Sequence, residues 1–308
     1  MQFVPEQGLD HICTHSTCAL YNACRQGNEQ LVKQLLEQGA AIDAPNHKQL
    51  TGLHVSVSQG HESVVRLLLA AGANVESKTE RQATPLHFAV EVGHLAVIQV
   101  LLAFGADKEA RDDNQCTALH IAAQSGNEAV VQALLAAGSD IEPRHTKGGT
   151  PLHIAALYGH EAATKALLAA GADKEARMSP PDGQRLYTPL LIAAFMGRLA
   201  VAQALADAGA DHEARDSKGA TTVHMAVSAG HVAVLKVLLA TGGNKDARDF
   251  SAATPLHYAA SNGDVAGVKV LLATGGNKDA RDFSAATPLH YAASNGDVAG
   301  VKVLLATG

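Results

Sequence analysis

The sequence predicts an all-α repeat solenoid of helix-turn-helix units, because three features recur together along its 308 residues. The first is a Thr-Pro-Leu-His opening, which occurs unchanged at residues 84–87, 150–153, 254–257 and 287–290. The second is a period: the Leu or Val of this opening returns every 33 residues from Leu20 to Leu289, except for one step of 38 between Leu152 and Leu190. The third is a pair of glycines in each unit. Counted in this way, the chain holds nine units.

Each recurring position has a local structural role. The Thr is a good N-cap, and the Pro after it suits the first turn of a helix. The first glycine is expected to end that helix with a positive φ, at Gly27, Gly60, Gly93, Gly126, Gly159, Gly197, Gly230, Gly263 and Gly296. A second, Leu-rich helix ends at the second glycine, at Gly39, Gly72, Gly105, Gly138, Gly171, Gly209, Gly242, Gly275 and Gly308.

From about residue 18 to residue 308, the period, the Thr-Pro-Leu-His-x-Ala opening and the paired glycines resemble the ankyrin repeat. The resemblance implies β-hairpin fingers between the units and an elongated, curved array, on the order of 80 Å long at roughly 8–10 Å per helix layer. We therefore expect a lead-in at residues 1–17 and one repeat domain at residues 18–308. Within it, residues 178–187 form a longer finger.

The last repeat has no evident C-terminal cap. Residues 236–275 and 269–308 are identical over 40 positions, so the terminal helix is as apolar as the one before it. A terminal repeat ordinarily needs a polar outer face. We expect that the last repeat arose by a recent duplication and that the chain is a fragment of a longer protein. Self-association through the last repeat is the alternative.

Composition excludes several classes of function. The net charge of −6, with both signs interspersed, disfavours nucleic-acid binding as a main activity. No apolar run approaches the ~20 residues that a membrane span needs, and residues 1–7 lack the features of a signal peptide. Four cysteines are too few for a disulfide framework. These features predict a monomer in the cytoplasm, with the nucleus as the alternative.

Sixteen histidines suggest metal or catalytic chemistry, but most belong to the repeat. The resemblance implies a structural role for the fourth residue of the opening, which is His54, His87, His120, His153, His224, His257 and His290. Leu191 takes this place in the sixth repeat and predicts a local change to apolar packing.

One cluster could bind zinc: His11, Cys13, His15 and Cys18, with Cys24 nearby. Its spacing matches no familiar zinc finger, so a lead-in followed by core thiols is preferred. No phosphate-binding glycine loop or nucleophile elbow occurs. We therefore expect that the protein is not an enzyme and that it has no catalytic residue, cofactor or metal.

A row of basic residues precedes the openings, at Lys78, Arg111, Arg144, Arg177, Arg215, Arg248 and Arg281. Acidic neighbours follow several of them, so the row is expected to stabilise the fingers. Binding of an acidic partner is the alternative interpretation.

Ankyrin-like arrays bind proteins through a concave face, built from the fingertips and the exposed ends of the first helices. In most repeats of this chain those helix positions are small or polar, but the fifth and sixth repeats carry large apolar residues, next to the longer finger. The predicted partner-binding residues are Leu157, Tyr158, Leu186, Tyr187, Phe195 and Met196, with Val92, Phe250 and Phe283 as further positions. Alternatively, the finger covers the apolar residues as a small private core.

The sequence thus predicts a non-enzymatic protein–protein interaction scaffold or adaptor. One alternative is a targeting or regulatory segment of a larger enzyme, channel or effector. Another is a structural rod that assembles through its last repeat.

Overall fold

The structure is a computed structural model that describes residues 15–178 and 186–306, with the side chains of residues 15–17 left aside. These residues form nine pairs of helices in two compact units. The first unit, Met1–Asp140, contains α1 (His15–Gln26), α2 (Glu29–Glu37), α3 (Gly52–Ser58), α4 (Glu62–Ala70), α5 (Pro85–Val92), α6 (Leu95–Ala103), α7 (Ala118–Ser125) and α8 (Glu128–Ala136).

The second unit, Ile141–Gly308, contains the remaining five pairs. They are α9 (Pro151–Tyr158), α10 (Glu161–Ala169), α11 (Pro189–Phe195), α12 (Leu199–Asp207), α13 (Thr222–Ser228), α14 (Val232–Ala240), α15 (Pro255–Asn262), α16 (Val265–Ala273), α17 (Pro288–Ser294) and α18 (Val298–Ala306). Within each unit, the first helix of a pair packs on the first helix of the next pair, and the second helix on the second. This two-layer stack is the predicted solenoid.

The core lies between neighbouring repeats. The Leu or Val of each opening is almost fully buried from Leu20 to Leu256, and only Leu289 of the last repeat is partly exposed. The alanines that follow in the middle repeats, such as Ala122 and Ala155, are also fully buried. Because these side chains are small, adjacent first helices can approach closely and leave thin apolar layers.

A capping box begins seven of the described first helices. In α5 the backbone N–H of Thr84 donates to Nδ1 of His87 over 3.1 Å, and the Thr84 hydroxyl lies 2.8 Å from the same nitrogen. The other ring nitrogen, Nε2, donates to the carbonyl oxygen of Cys116 in the next repeat over 3.2 Å. The histidine therefore caps its own helix and also ties two repeats together, as the resemblance implied.

Two openings depart from this pattern. In α11 the apolar change predicted at Leu191 is confirmed, since its side chain is fully buried and its N–H donates to the Thr188 hydroxyl over 3.4 Å. In the first repeat, Cys18 stands at the position that other openings give to the Thr cap, but α1 already begins at His15. Cys18 and Tyr21 replace the Thr and His that form the capping box in other repeats, so that box does not fix the start of this helix.

The fingers are tight turns rather than paired strands. In the finger before α7, Asp112 Oδ1 accepts from the backbone N–H groups of Asn114 and Cys116, and the Asp112 N–H donates to the Cys116 carbonyl over 3.1 Å. Among the described residues, strand pairing is limited to one isolated antiparallel bridge between Met178 and Tyr187. The β-hairpins that the resemblance implied are thus shortened, because the carboxylate takes up the N–H groups at the tip.

Replacing Gln115 by Gly is expected to raise the free energy of unfolding by about 1 kcal/mol. Gln115 has a φ of 61°, in the left-handed region that costs residues with a Cβ about 1–2 kcal/mol. The next finger has Gly148 at this position, with a φ of 74°. Urea denaturation followed by circular dichroism measures the gain. The reverse exchange, Gly148→Gln, should lose about as much, and a loss of stability in Gln115→Gly would contradict the prediction.

Candidate protein-binding site

A group of large apolar side chains is exposed where α9 and α11 end and α12 begins. The exposed fractions are 45% for Tyr158, 49% for Phe195, 37% for Met196 and 44% for Leu199. We call these four residues the central patch. Since α9 packs against α11, and α10 against α12, they belong to two adjacent repeats of one unit.

Arg198 joins the two repeats at the central patch. Its Nε donates to the carbonyl oxygen of Leu157 over 3.1 Å, and its side chain lies over Gly159, where an added Cβ would be 2.7 Å from Arg198 Cδ. Several other repeats have a histidine here, for example His61, whose Nε2 bonds the Arg25 carbonyl over 3.1 Å. The arginine keeps this link between repeats and adds a positive charge.

Tyr158 is held in a defined orientation. Its ring is nearly parallel to the ring of His160, with an interplanar angle of 7° and a centroid separation of 6.2 Å. Leu157, which precedes it, is only half-buried. A ring fixed on one side and exposed on the other loses little conformational entropy when a partner covers it.

The longer finger is anchored beside α9 through its backbone. Met178 and Tyr187 exchange backbone hydrogen bonds of 2.9 and 3.3 Å, and His153 Nε2 donates to the Tyr187 carbonyl over 3.1 Å. The side chains of Leu186 and Tyr187 are half-buried. Residues 179–185 of the finger lie outside the described residues. With the finger base in this position, Tyr158 and Phe195 are still nearly half exposed.

The further predicted positions lie elsewhere. Val92 is half exposed at the end of α5, in the first unit. Phe250 and Phe283 occupy the tips of two fingers with the same sequence, yet their exposed fractions are 66% and 82%. The Phe250 ring lies against Gly219 of the preceding finger, where an added Cβ would be 2.6 Å from Phe250 Cδ1. Alanine stands at the position corresponding to Gly219 in the finger before Phe283.

The basic row links consecutive fingers. Arg144 Nη1 donates to the carbonyl oxygens of Gly148 and Arg177, over 2.8 and 2.7 Å. Arg215 Nη1 donates in the same way to those of Gly219 and Arg248, over 3.0 and 2.6 Å. These bonds close each finger and connect it to the next, which supports the predicted finger-stabilising role.

Comparison with known proteins agrees with this geometry. The family model described as "Ankyrin repeats (3 copies)" matches residues 4–79, 20–112, 73–145, 137–216, 179–249 and 223–308. The chain belongs to the ankyrin-repeat family. Among solved structures, the crystal structure of the human ASB11 ankyrin repeat domain is similar, with 29% sequence identity and a TM-score of 0.64. The similarity covers 73% of this chain and 98% of that domain. No curated protein matches the sequence.

The described part of this ankyrin array contains no group of three His, Cys, Asp or Glu side chains that could hold a metal ion. His11 and Cys13 of the possible zinc cluster lie outside the described residues, as does the side chain of His15. Burial raises the pKa of Cys24 and Cys116 to about 12, and nearby Asp112 adds to the shift for Cys116. Both thiols are therefore protonated near neutral pH and are poor nucleophiles or metal ligands.

Within residues 15–178 and 186–306, every helix is too short or too polar to cross a membrane.

Sequence reasoning missed two residues of the site, Arg198 and Leu199. Arg198 occupies the cap position of a second helix, where sibling repeats carry His, Asn or Asp. Its departure from those residues was the available signal. Leu199 corresponds to Glu62, Glu128 and Glu161 in some repeats but to Leu95, Val232, Val265 and Val298 in others, so the sequence carried no signal for it.

Proposed function

We propose that this ankyrin array is a protein–protein interaction scaffold or adaptor whose main contact with a partner is the central patch. The observation that carries the proposal is the exposure of Tyr158, Phe195, Met196 and Leu199 on two repeats whose helices pack against each other. Exposed apolar clusters are uncommon on monomers and mark interaction sites, and aromatic and Met side chains are enriched at interface cores. Leu157, Leu186, Tyr187, Phe250 and Phe283 extend the contact within the second unit, and Val92 is a separate contact position on the first unit.

In this proposal the partner's apolar side chains cover the Tyr158 and Phe195 rings, and Arg198 supplies a polar contact at the rim. Binding needs no cofactor and no catalytic step. The array acts as a monomer in the cytoplasm or nucleus, where a reducing environment suits a chain with only four cysteines.

A second candidate, assembly through the last repeat, is favoured by the exposure of Val298 and Leu305 on α18. A molar mass that rises with concentration in light scattering would favour this reading.

Changing Tyr158 and Phe195 together to Ala is expected to weaken partner binding by about 2 kcal/mol, because two interface anchors are removed. Proteins captured from source-cell lysate by the wild-type chain and by the variant are compared by mass spectrometry. The affinity of a partner that only the wild type retains is then measured with purified components. Circular dichroism must show that the variant is as folded as the wild type.

The matched control is Phe104→Ala, which removes an exposed aromatic ring after α6, in the other unit. It is expected to leave partner affinity unchanged. If Tyr158→Ala/Phe195→Ala lowers the melting temperature and keeps full affinity per folded molecule, the private-core interpretation replaces the proposal.

A further inference from the structure

The net negative charge of the chain comes from the first of its two units. Residues 1–140 carry 8 Lys and Arg against 15 Asp and Glu, which accounts for the excess of acid. Residues 141–308 carry 16 Lys and Arg against 15 Asp and Glu. The net charge of −6 therefore conceals a second unit that is close to neutral, in which the placement of the charges decides the surface potential.

In the second unit, the carboxylates at three finger tips, Asp216, Asp249 and Asp282, accept hydrogen bonds within their own repeat. Asp216 and Asp282 are only 9% exposed. Asp282 Oδ1 accepts from the backbone N–H groups of Ser284 and Ala286, and Oδ2 accepts from the Tyr291 hydroxyl over 2.7 Å. Asp249 has the same bonds to Ser251, Ala253 and Tyr258. These three tip carboxylates are engaged by the turns, whereas Asp211, Glu213 and Asp279, earlier in the same fingers, are exposed.

The cations of the same fingers point outward. Arg177, Lys218, Arg248 and Arg281 are exposed, and Arg215 is half-buried. None of the five forms an ion pair with a carboxylate in the described part of the chain. Phe250 and Phe283 lie among them, on the tips. We call these seven residues the finger edge.

Part of the finger edge is also pre-organised. Arg177 Nη1 donates to the Arg215 carbonyl over 3.3 Å, and Arg215 Nη1 donates to the Arg248 carbonyl over 2.6 Å. Guanidinium groups held in this way lose less entropy when an anion binds than free lysine side chains do. Along the stacked repeats, one basic group and one fingertip recur every ~8–10 Å.

We propose that the finger edge binds an extended acidic segment of a partner protein, whose carboxylates face the arginines and whose apolar side chains cover Phe250 and Phe283. This inference rests on the proposed function and adds the chemistry of the partner. A protein segment is favoured over a nucleic acid because the two aromatic tips need apolar contacts and the chain as a whole is acidic. Three extended residues span about 10 Å, so one triplet matches one repeat.

The probe is a fluorescein-labelled peptide of four Glu-Glu-Phe triplets, and binding to the full chain is measured by fluorescence anisotropy. The finger variant is Lys218→Gln/Arg248→Gln/Arg281→Gln, which removes three exposed charges whose side chains form no hydrogen bond in the described structure. The control variant is Lys236→Gln/Lys269→Gln/Lys302→Gln. It removes three exposed charges from α14, α16 and α18 and gives the same net charge.

We expect the finger variant to bind the probe at least about tenfold more weakly, and the helix variant to change affinity by less than about twofold. A peptide of Lys-Lys-Phe triplets should not bind, and one of Glu-Glu-Ala triplets should bind more weakly than the probe. Equal weakening in both variants would reduce the effect to net charge and overturn the proposal. So would absence of binding, or tighter binding of a fluorescein-labelled oligouridine.

The two proposals fail separately. If Tyr158→Ala/Phe195→Ala abolishes partner capture but the finger edge binds no acidic peptide, only the acidic-segment inference is lost. If the finger edge discriminates between the peptides while that variant retains every partner, the central patch is lost and the finger edge stands.

Discussion

The free energy of unfolding of this ankyrin array is expected to fall steeply as the pH drops from about 6.5 to about 4. Burial lowers the pKa of His54 and His153 to about 4, and it also lowers the pKa of His87, His224 and His257. In the unfolded chain these groups bind a proton near pH 6.5, whereas in the folded array they do so only at lower pH. Their contribution is therefore complete above pH 6.5 and is lost as the pH falls.

The hydrogen bonds of the capping histidines explain why the folded array excludes their protonated form. His153 Nε2 carries the proton that it donates to the Tyr187 carbonyl, and Nδ1 accepts from the Thr150 N–H over 3.2 Å. A proton on Nδ1 would face that N–H and break the cap. For His153 alone, a shift from 6.5 to about 4 corresponds to about 3 kcal/mol across this window.

Urea denaturation at about pH 7 and about pH 4.5 measures the loss. The control is His153→Leu, which reproduces the arrangement of Leu191 in α11. At neutral pH this variant should be less stable, since the Thr150 N–H and the Tyr187 carbonyl lose a partner. Its stability should nevertheless vary less with pH, by up to about 3 kcal/mol. An unchanged pH dependence would show that carboxylates, and not this histidine, cause the acid sensitivity.

Gly197→Ala is expected to destabilise the second unit by about 3 kcal/mol. Gly197 follows α11 with a φ of 69°, and an alanine there is strained by about 1–2 kcal/mol. The new methyl would also lie 2.6 to 2.8 Å from three atoms of the His231 ring, so that ring must move. Overpacking of this kind typically adds about 1–3 kcal/mol.

Gly230 provides the matched control one repeat later. Its φ is 71°, but nothing lies within 4 Å of an added Cβ. Gly230→Ala should therefore show the backbone strain alone, about 1 kcal/mol. Combining Gly197→Ala with His231→Ala should remove the excess, measured as the coupling energy of a double-mutant cycle. Equal losses in Gly197→Ala and Gly230→Ala would contradict the steric explanation.

Much of the fold could be predicted because its signals are local. The Thr cap, the Pro at the first turn and the glycine with positive φ act within one repeat, so the period alone placed the helices. The finger turns were less predictable. Whether a polar stretch pairs as strands or closes as a turn depends on where the carboxylate of Asp112 or Asp249 finds N–H groups. The charge row was correctly interpreted in part, because Arg144, Arg177 and Arg215 donate to a carbonyl of the next finger.

The candidate site could be predicted only in part. Tyr158, Phe195 and Met196 stood out because small or polar residues occupy those positions in most repeats. Arg198 departs from the His, Asn or Asp of the other repeats, but its bond to the Leu157 carbonyl in the preceding repeat is visible only in the structure, as is the exposure of Leu199. Likewise, the outward direction of Arg248 and Arg281 depends on their carboxylate neighbours being bonded to tyrosines and turns.

The last two repeats separate what sequence determined from what only tertiary structure decided. Their sequences are the same, and both begin the first helix at Pro behind the same capping box and form a nine-residue second helix, because these features depend on residues within one repeat. Their burial differs: Leu256 is almost fully buried and Leu289 is partly exposed, while Ala252 is buried and Ala285 is exposed. Burial is a property of the adjacent repeat as much as of the residue itself. Identical residues therefore become core in one place and available surface in another.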